Sequence, residues 1–321
     1  MILGTVLTPL SEENMLLAAQ CGVEGVVVRY PGPTLQELLD VQQTLANHGL
    51  RLLAVEGYLP IEKIKTGSDH DGSELRAMQQ LIRHLGTAGV RLLCYNFMAG
   101  TDWVRTRLDM PSRGGARVTA FNLADAQQAV NLNASQSTIS QEQISANELW
   151  RNLEHFLREV IPVAEEAGVT LAMHPDDPPL PKFMRKARIM NSVEGFERLV
   201  SLVPSSRNAI CFCQGTFATM GVDIPATIRR LGRHIQYVHF RDVQGTPESF
   251  VETFHDNGPT DMAEAIRALR EVGFTGPIRP DHVPQLVGEE DGEPGYTMLG
   301  RLFAFGYIRG LLHGTTASNQ E

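Results

Sequence analysis

Four residues of the types that hold divalent metals close four successive apolar runs. His174 ends VTLAMH, Cys213 ends NAICFC, His239 sits near the end of IQYVHFRDV, and Asp281 follows GPIRP with His282 next to it. Imidazole, thiolate and carboxylate together suit Mn(II), Fe(II) or Zn(II), and the carboxylate favours the first two. Taken singly, each residue has a plainer reading. A cysteine on a strand is usually a small buried hydrophobe, and Cys211, one layer deeper on the same face as Cys213, is read that way. A lone histidine is often structural, and a lone aspartate often caps a helix. Occurrence at consecutive strand ends is what core packing does not require. The carboxylates Asp176 and Asp177, locked among Pro175, Pro178 and Pro179, are read as backing or loop-shaping groups rather than ligands.

The elements that must carry these residues are legible as a repeat. Strand candidates begin at Ile2, Val23, Leu50, Val90, Val169, Asn208, Ile235 and Gly276, each apolar and nearly continuous. Between them, segments such as SELRAMQQLIRHLGTAG and LWRNLEHFLREVIPVAEEAG place apolar residues three and four apart and close on glycine, as helices do. Strands buried on both faces and alternating with helices predict a (β/α)8 TIM barrel, one catalytic unit spanning 1–321. In that fold the C-terminal strand ends surround one pocket, which turns four distant positions into neighbours. An inserted polar segment, about 108–146, falls between the fourth strand and its helix, and the reading allows a lid, a subunit contact or a disordered loop. VPQLVGEEDGEPGYTMLGR, after the eighth strand, is also expected at the mouth.

Bulk properties remove other classes. The 321 residues carry a net charge of -9 with no clustered basic patch, which argues against a nucleic-acid surface. No apolar run reaches the roughly 20 residues of a membrane span, so no membrane association is expected. The start lacks a basic, then apolar, leader, and the four cysteines have no disulfide-framework spacing. A cytoplasmic protein is expected. Arg29, Arg105, Arg241 and Arg279 lie at or just beyond strand ends, and guanidinium forks suit carboxylates, so a small anionic substrate is expected. One or two of these arginines are expected instead in rim ion pairs with Asp242 or Asp102. His255, in FHDNGP after the seventh strand, is a weaker site candidate.

The motifs themselves are similar to those of the mannonate dehydratases of hexuronate catabolism. The matching pieces are IKTG at Ile64, CYNFM at Cys94, DWVRT at Asp102, IPVAEEAGV at Ile161, MHPDDPP at Met173, CQGT at Cys213, HFRDV at His239, RPDH at Arg279 and PGYTMLGRL at Pro294. The resemblance implies a barrel like that of xylose isomerase, dependence on Mn(II) or Fe(II), and dehydration of the sugar acid D-mannonate to 2-keto-3-deoxy-D-gluconate. It implies metal ligation by His174, Cys213, His239 and Asp281, the same four chosen by strand ends. It further implies acid–base roles for Asp281, His282 and Tyr296, positions near substrate for Arg105 and His255, and a homodimer. The chain departs from the family pattern at Val283-Pro284, at the first strand, which lacks a Trp-Tyr-Gly start, and in a shorter insertion; these touch substrate recognition more than metal.

Two other readings remain at this point. A metal-dependent sugar or sugar-acid isomerase or epimerase would use the same barrel, but such enzymes carry more acidic strand ends, and Glu56 is the single glutamate there. A non-catalytic sugar-acid-binding homologue would not need Asp281, His282 and Tyr296 together.

Overall fold

A computed structural model describes residues 1–101, 103–128, 130–131 and 143–316. Eight parallel strands close into a barrel: β1 (Ile2–Thr5), β2 (Gly25–Val28), β3 (Arg51–Glu56), β4 (Leu92–Tyr95), β5 (Thr170–Met173), β6 (Asn208–Cys213), β7 (Ile235–Phe240) and β8 (Pro277–Pro280). They follow one another in chain order around the barrel, and β1 pairs with β8 to close it. All eight lie in the apolar runs identified from sequence. Burial on both faces removes the alternation that a half-exposed strand would show.

Among the described residues, eight helices of eight residues or more wrap the outside: α1 (Glu12–Gln20), α2 (Leu35–Ala46), α3 (Ser73–Thr87), α4 (Ala146–Ala167), α5 (Val193–Leu202), α6 (Ile224–Leu231), α7 (Met262–Glu271) and α8 (Met298–Gly314). Their ends are encoded locally. In α4, Ser145 and Glu148 form a reciprocal capping box, and Gly168, at φ 67°, supplies the left-handed turn that ends the helix. The inward stripe of α4, including Leu149, Leu153, Phe156, Leu157 and Val160, is fully buried against the sheet. Inside the barrel, Val6, Val27, Ala54, Leu92, Cys94, Ala172, Cys211 and Tyr237 fill a separate apolar layer.

Part of the insertion after β4 forms a sheet. Arg107–Pro111 and Arg117–Asn122 pair with each other, and the second pairs with Ser249–Glu252 from a hairpin that follows β7. This antiparallel sheet is completed by Val243–Thr246. Phe121, Phe183, Val243, Phe250, Val104 and Leu180 form its own apolar cluster. The loop after β8 is clamped to it, since Arg117 and Gln285 exchange two backbone hydrogen bonds of 3.0 and 2.8 Å. Residues 129 and 132–142 of the expected lid, and Asp102 of the expected rim pairs, lie outside the described residues.

Candidate active site

Strand register sets the level of the site. Cys213 of β6 stands opposite His239 of β7, and His239 stands opposite Arg279 of β8. His174 directly follows β5, and Asp281 directly follows β8. One ligand atom each from His174, Cys213 and His239 lies within 4.8 Å of the others, and all three side chains are buried. Asp281 stands beside this trio, with Oδ2 3.7 Å from both Cys213 Sγ and His239 Nδ1. Its Oδ1 accepts from Arg279 Nη1 at 2.8 Å, which holds the carboxylate toward the barrel wall.

Neighbouring cations hold the thiol and the carboxylate of the set in their ionised forms. Burial pushes the Cys213 thiol up, yet His174, His239 and Arg241 together hold it well below the ordinary thiol range. Burial likewise opposes ionisation of Asp281, and His282, Arg279 and His239 overcome it. His174 Nδ1 is hydrogen-bonded to the Pro175 carbonyl at 2.7 Å, which fixes Nδ1 as the donor. Its Nε2 is buried without a hydrogen-bond partner. An imidazole oriented by a backbone carbonyl with its second nitrogen bare is how proteins present a metal-binding histidine.

Next to this set, four ionised side chains form a closed buried square. Arg105 donates to Asp177 at 3.0 and 3.1 Å and to Glu252 at 2.8 Å. Arg241 donates to Glu252 at 2.7 and 2.6 Å and to Asp177 at 2.9 Å. All four are at most 3% exposed. The two charges of each sign cancel, which offsets the large cost of burying ions. Asp177 is therefore the backing carboxylate that the proline-bounded motif suggested, while Asp176 accepts from the Met190 backbone N–H at 2.7 Å and shapes the loop. The rim partner considered for Arg241, Asp242, instead accepts from the Thr260 hydroxyl at 2.7 Å and the Thr260 and Val243 backbone N–H groups.

The square orients His282. Its Nδ1 lies 3.0 Å from Glu252 Oε1 and 3.0 Å from Arg105 Nη2, while Nε2 lies 4.0 Å from Asp281. His282 has φ 41°, a left-handed backbone that a non-glycine residue adopts at a cost and that recurs at functional sites. Tyr296 packs edge-on against it, ring centroids 5.4 Å apart. Burial, reinforced by Asp281, pushes the Tyr296 phenol up to about 12, so it stays protonated.

Arg279 belongs to a second buried hub centred on Glu56. Glu56 accepts from Arg279 Nη2 at 2.7 Å and from the Tyr237 hydroxyl at 2.9 Å, and lies 3.2 Å from His239 Nε2. His255 is buried against Phe240, with Nε2 2.8 Å from the Phe240 carbonyl, and burial lowers its pKa to about 4. Arg29 differs from the other mouth arginines in being 20% exposed, 3.5 Å from Glu56, with its guanidinium 5.6–5.9 Å from the rings of Tyr58, Trp103 and Tyr296. A cavity of about 270 Å³ adjoins it, lined by Glu56, Tyr58, Lys65, Cys94, Asn96 and Trp103 among others. Trp103 stands edge-on to His174 at 5.3 Å, so cavity and ligand set share a wall.

Sequence reasoning did not find Glu252, Lys65 or Trp103. Glu252 had a signal: GTPESFVE, with its turn residues before a short alternating run, reads as half of a hairpin.

A thiolate, imidazole and carboxylate set at the C-terminal mouth of a closed parallel barrel, beside an oriented histidine and a protonated phenol, defines an enzyme of the (β/α)8 class. The chain belongs to the D-mannonate dehydratase (UxuA) family, whose sequence model matches residues 12–321. It is 33% identical over 331 aligned positions to a mannonate dehydratase of Enterococcus faecalis, covering 94% of this chain and 92% of the relative. It is 31% identical to that of Oceanobacillus iheyensis, covering 87% and 85%. The crystal structure of mannonate dehydratase from Streptococcus suis serotype 2 superposes with a TM-score of 0.88 at 29% identity, covering 98% of this chain and 93% of that one. A D-tagatose 3-epimerase-like protein superposes at 0.64 with 13% identity, which shows the shared fold alone.

Proposed function

We propose that the protein dehydrates D-mannonate to 2-keto-3-deoxy-D-gluconate, using Mn(II) or Fe(II) held by His174, Cys213, His239 and Asp281. The observation that carries this reading is the convergence of those side chains beside His282 and Tyr296 in a chain of this family. The residues fit a divalent ion: His174 Nε2 is bare and buried, and the thiolate and carboxylate supply two negative charges to balance it. When bound, the ion supplies Lewis-acid stabilisation of the charge that builds on the substrate carboxylate as the C2–H bond breaks.

The remaining work falls to the chain. His282, with Nδ1 directed at Glu252, leaves Nε2 to take the C2 proton, the base-and-orienter arrangement of many proton-transfer sites. Tyr296, kept protonated, delivers its proton to the C3 hydroxyl, which leaves as water while the C2–C3 double bond forms; the resulting enol becomes the ketone. Contact between the two rings supports a reading in which the two transfers act on adjacent carbons. Arg29 meets the substrate carboxylate, because the other three mouth arginines direct donors to Asp177, Glu252, Glu56 and Asp281. The cavity takes the polyol tail, with Lys65 Nζ, now donating to Asn96 Oδ1 at 2.9 Å, as its charged donor.

Four free cysteines, three of them buried at or under the site, support a reducing cytoplasmic setting. A homodimer is carried by the family resemblance, and sedimentation equilibrium tests it. Purified protein, loaded anaerobically with Mn(II) or Fe(II) and given D-mannonate, should form the 2-keto-3-deoxy acid. Absence of product across a panel of aldonates by metal-loaded protein would overturn the reading.

A further inference from the structure

A second group of soft ligands lies one layer beneath the catalytic set. Cys94 of β4, Cys211 of β6 and His239 of β7 are fully buried, and one ligand atom of each lies within 4.8 Å of the others. The two cysteines belong to the otherwise apolar layer inside the barrel, where alanine or valine would serve packing equally well.

The geometry suits an ion rather than a disulfide. Strand β5 runs between β4 and β6, and Ala172 stands opposite Cys94. Strands spaced by ~4.8 Å put residues two strands apart beyond the ~7 Å Cα separation that a disulfide tolerates. Ala172 is small enough to let the two thiols face each other across that gap. Two bonds of about 2.3 Å in a tetrahedral set put the sulfurs about 3.8 Å apart, inside the 4.8 Å within which these ligand atoms lie. Two thiolates offset the charge of a divalent ion, which lowers the cost of placing it in the apolar layer, and binding releases one proton from each cysteine. Glu56 pairs with Cys94 in register and lies 3.2 Å from His239 Nε2, which places a fourth donor at hand. A route in exists: Cys94 and Glu56 line the same 270 Å³ cavity as Tyr58, which is 49% exposed.

We propose that Cys94, Cys211 and His239 form a thiophilic metal site that takes a soft d10 ion such as Zn(II) or Cd(II), and that an ion there draws His239 away from the catalytic set and inhibits the enzyme. Only the inhibitory clause rests on the catalytic reading above. Other soft-ligand groups do not offer this combination: among the described residues, the one further grouping of this kind is the catalytic trio itself.

The binding test uses Cd(II) and the full chain carrying Cys213→Ser, followed by the ultraviolet Cd–thiolate charge-transfer band. The catalytic set then has no sulfur, so the band reports the lower site. It should appear with the amplitude of two thiolates per bound ion, and adding Cys211→Ala or Cys94→Ala should weaken Cd(II) binding at least ~10-fold. No band in Cys213→Ser, or a band indifferent to both alanine substitutions, overturns the proposal. For coupling, Zn(II) is titrated into Mn(II)-loaded enzyme with and without Cys211→Ala. The substitution should preserve basal turnover and raise the inhibiting Zn(II) concentration at least ~10-fold; equal inhibition of both proteins overturns the inhibitory clause. A failure of the catalytic reading shows separately, as Mn(II) affinity unchanged by Cys213→Ser.

Discussion

Replacing Glu252 by glutamine keeps the shape of the side chain and removes its charge from the buried square. Asp177 and Glu252 now balance Arg105 and Arg241; after the substitution one positive charge is left with no counter-charge among side chains at most 3% exposed. Removing one partner of a buried pair costs on the order of 3–5 kcal/mol. The titration behaviour gives a second route to the magnitude. Burial raises the Glu252 pKa, but Arg241, His282 and Arg105 together bring it down to about 2 from 4.5. A folded-state pKa below the unfolded one means stability that is full above about pH 4.5 and lost as pH falls toward about 2. At about 1.4 kcal/mol per unit, that is roughly 3 kcal/mol at neutral pH and under half of it by pH 3. The two routes agree. Paired denaturation curves of wild-type and E252Q protein across pH 3–7 should show a gap of about 3 kcal/mol that closes on acidification. E252Q should also lose turnover, because His282 Nδ1 loses its carboxylate. Stability within about 0.5 kcal/mol of wild type at pH 7, or a gap that does not narrow in acid, would refute the reasoning.

Tyr296→Phe should abolish product formation while metal content, read by elemental analysis, stays at the wild-type level. Because the phenol is pushed up to about 12, activity should show no alkaline loss attributable to it below about pH 10; an earlier limb that moves to still lower pH in a fluorotyrosine-substituted enzyme contradicts the assignment. Lys65→Met removes the charged donor of the cavity and should raise KM by roughly 10–150-fold with metal content unchanged, as loss of a charged hydrogen bond does; a purely structural role would instead lower thermal stability at constant KM. Arg29→Lys should weaken binding of a substrate-like aldonate, measured by calorimetry, more than it weakens binding of the corresponding neutral alditol.

The barrel was legible because its information is local. Runs such as GVVV and NAICFC announce a strand buried on both sides, and three residues, Ser145, Glu148 and Gly168, write the ends of α4. The proposed ligand residues could be picked out because the fold converts strand ends into neighbours, so four distant letters could be read as one candidate site. What was hidden depends on contacts far apart in sequence. Glu252 reaches Arg105 across 147 positions, and the strand that carries it pairs with Arg117–Asn122 of the insertion, so the sheet over the mouth has no single-segment signature. For Arg105 and Arg241, charge and position were visible, but their partners were not, and the partners decide whether a guanidinium meets substrate or completes the wall. The left-handed backbone of His282 stands three residues before the clamp between its loop and the insertion, and no residue type at 282 reveals it.

The central claim is that one catalytic ion is bound by His174, Cys213, His239 and Asp281. X-ray absorption at the Mn or Fe edge of the active, singly loaded enzyme tests it most directly. The account predicts one sulfur among nitrogen and oxygen scatterers in the first shell, lost in Cys213→Ser. A first shell of nitrogen and oxygen alone in active wild-type enzyme would contradict it.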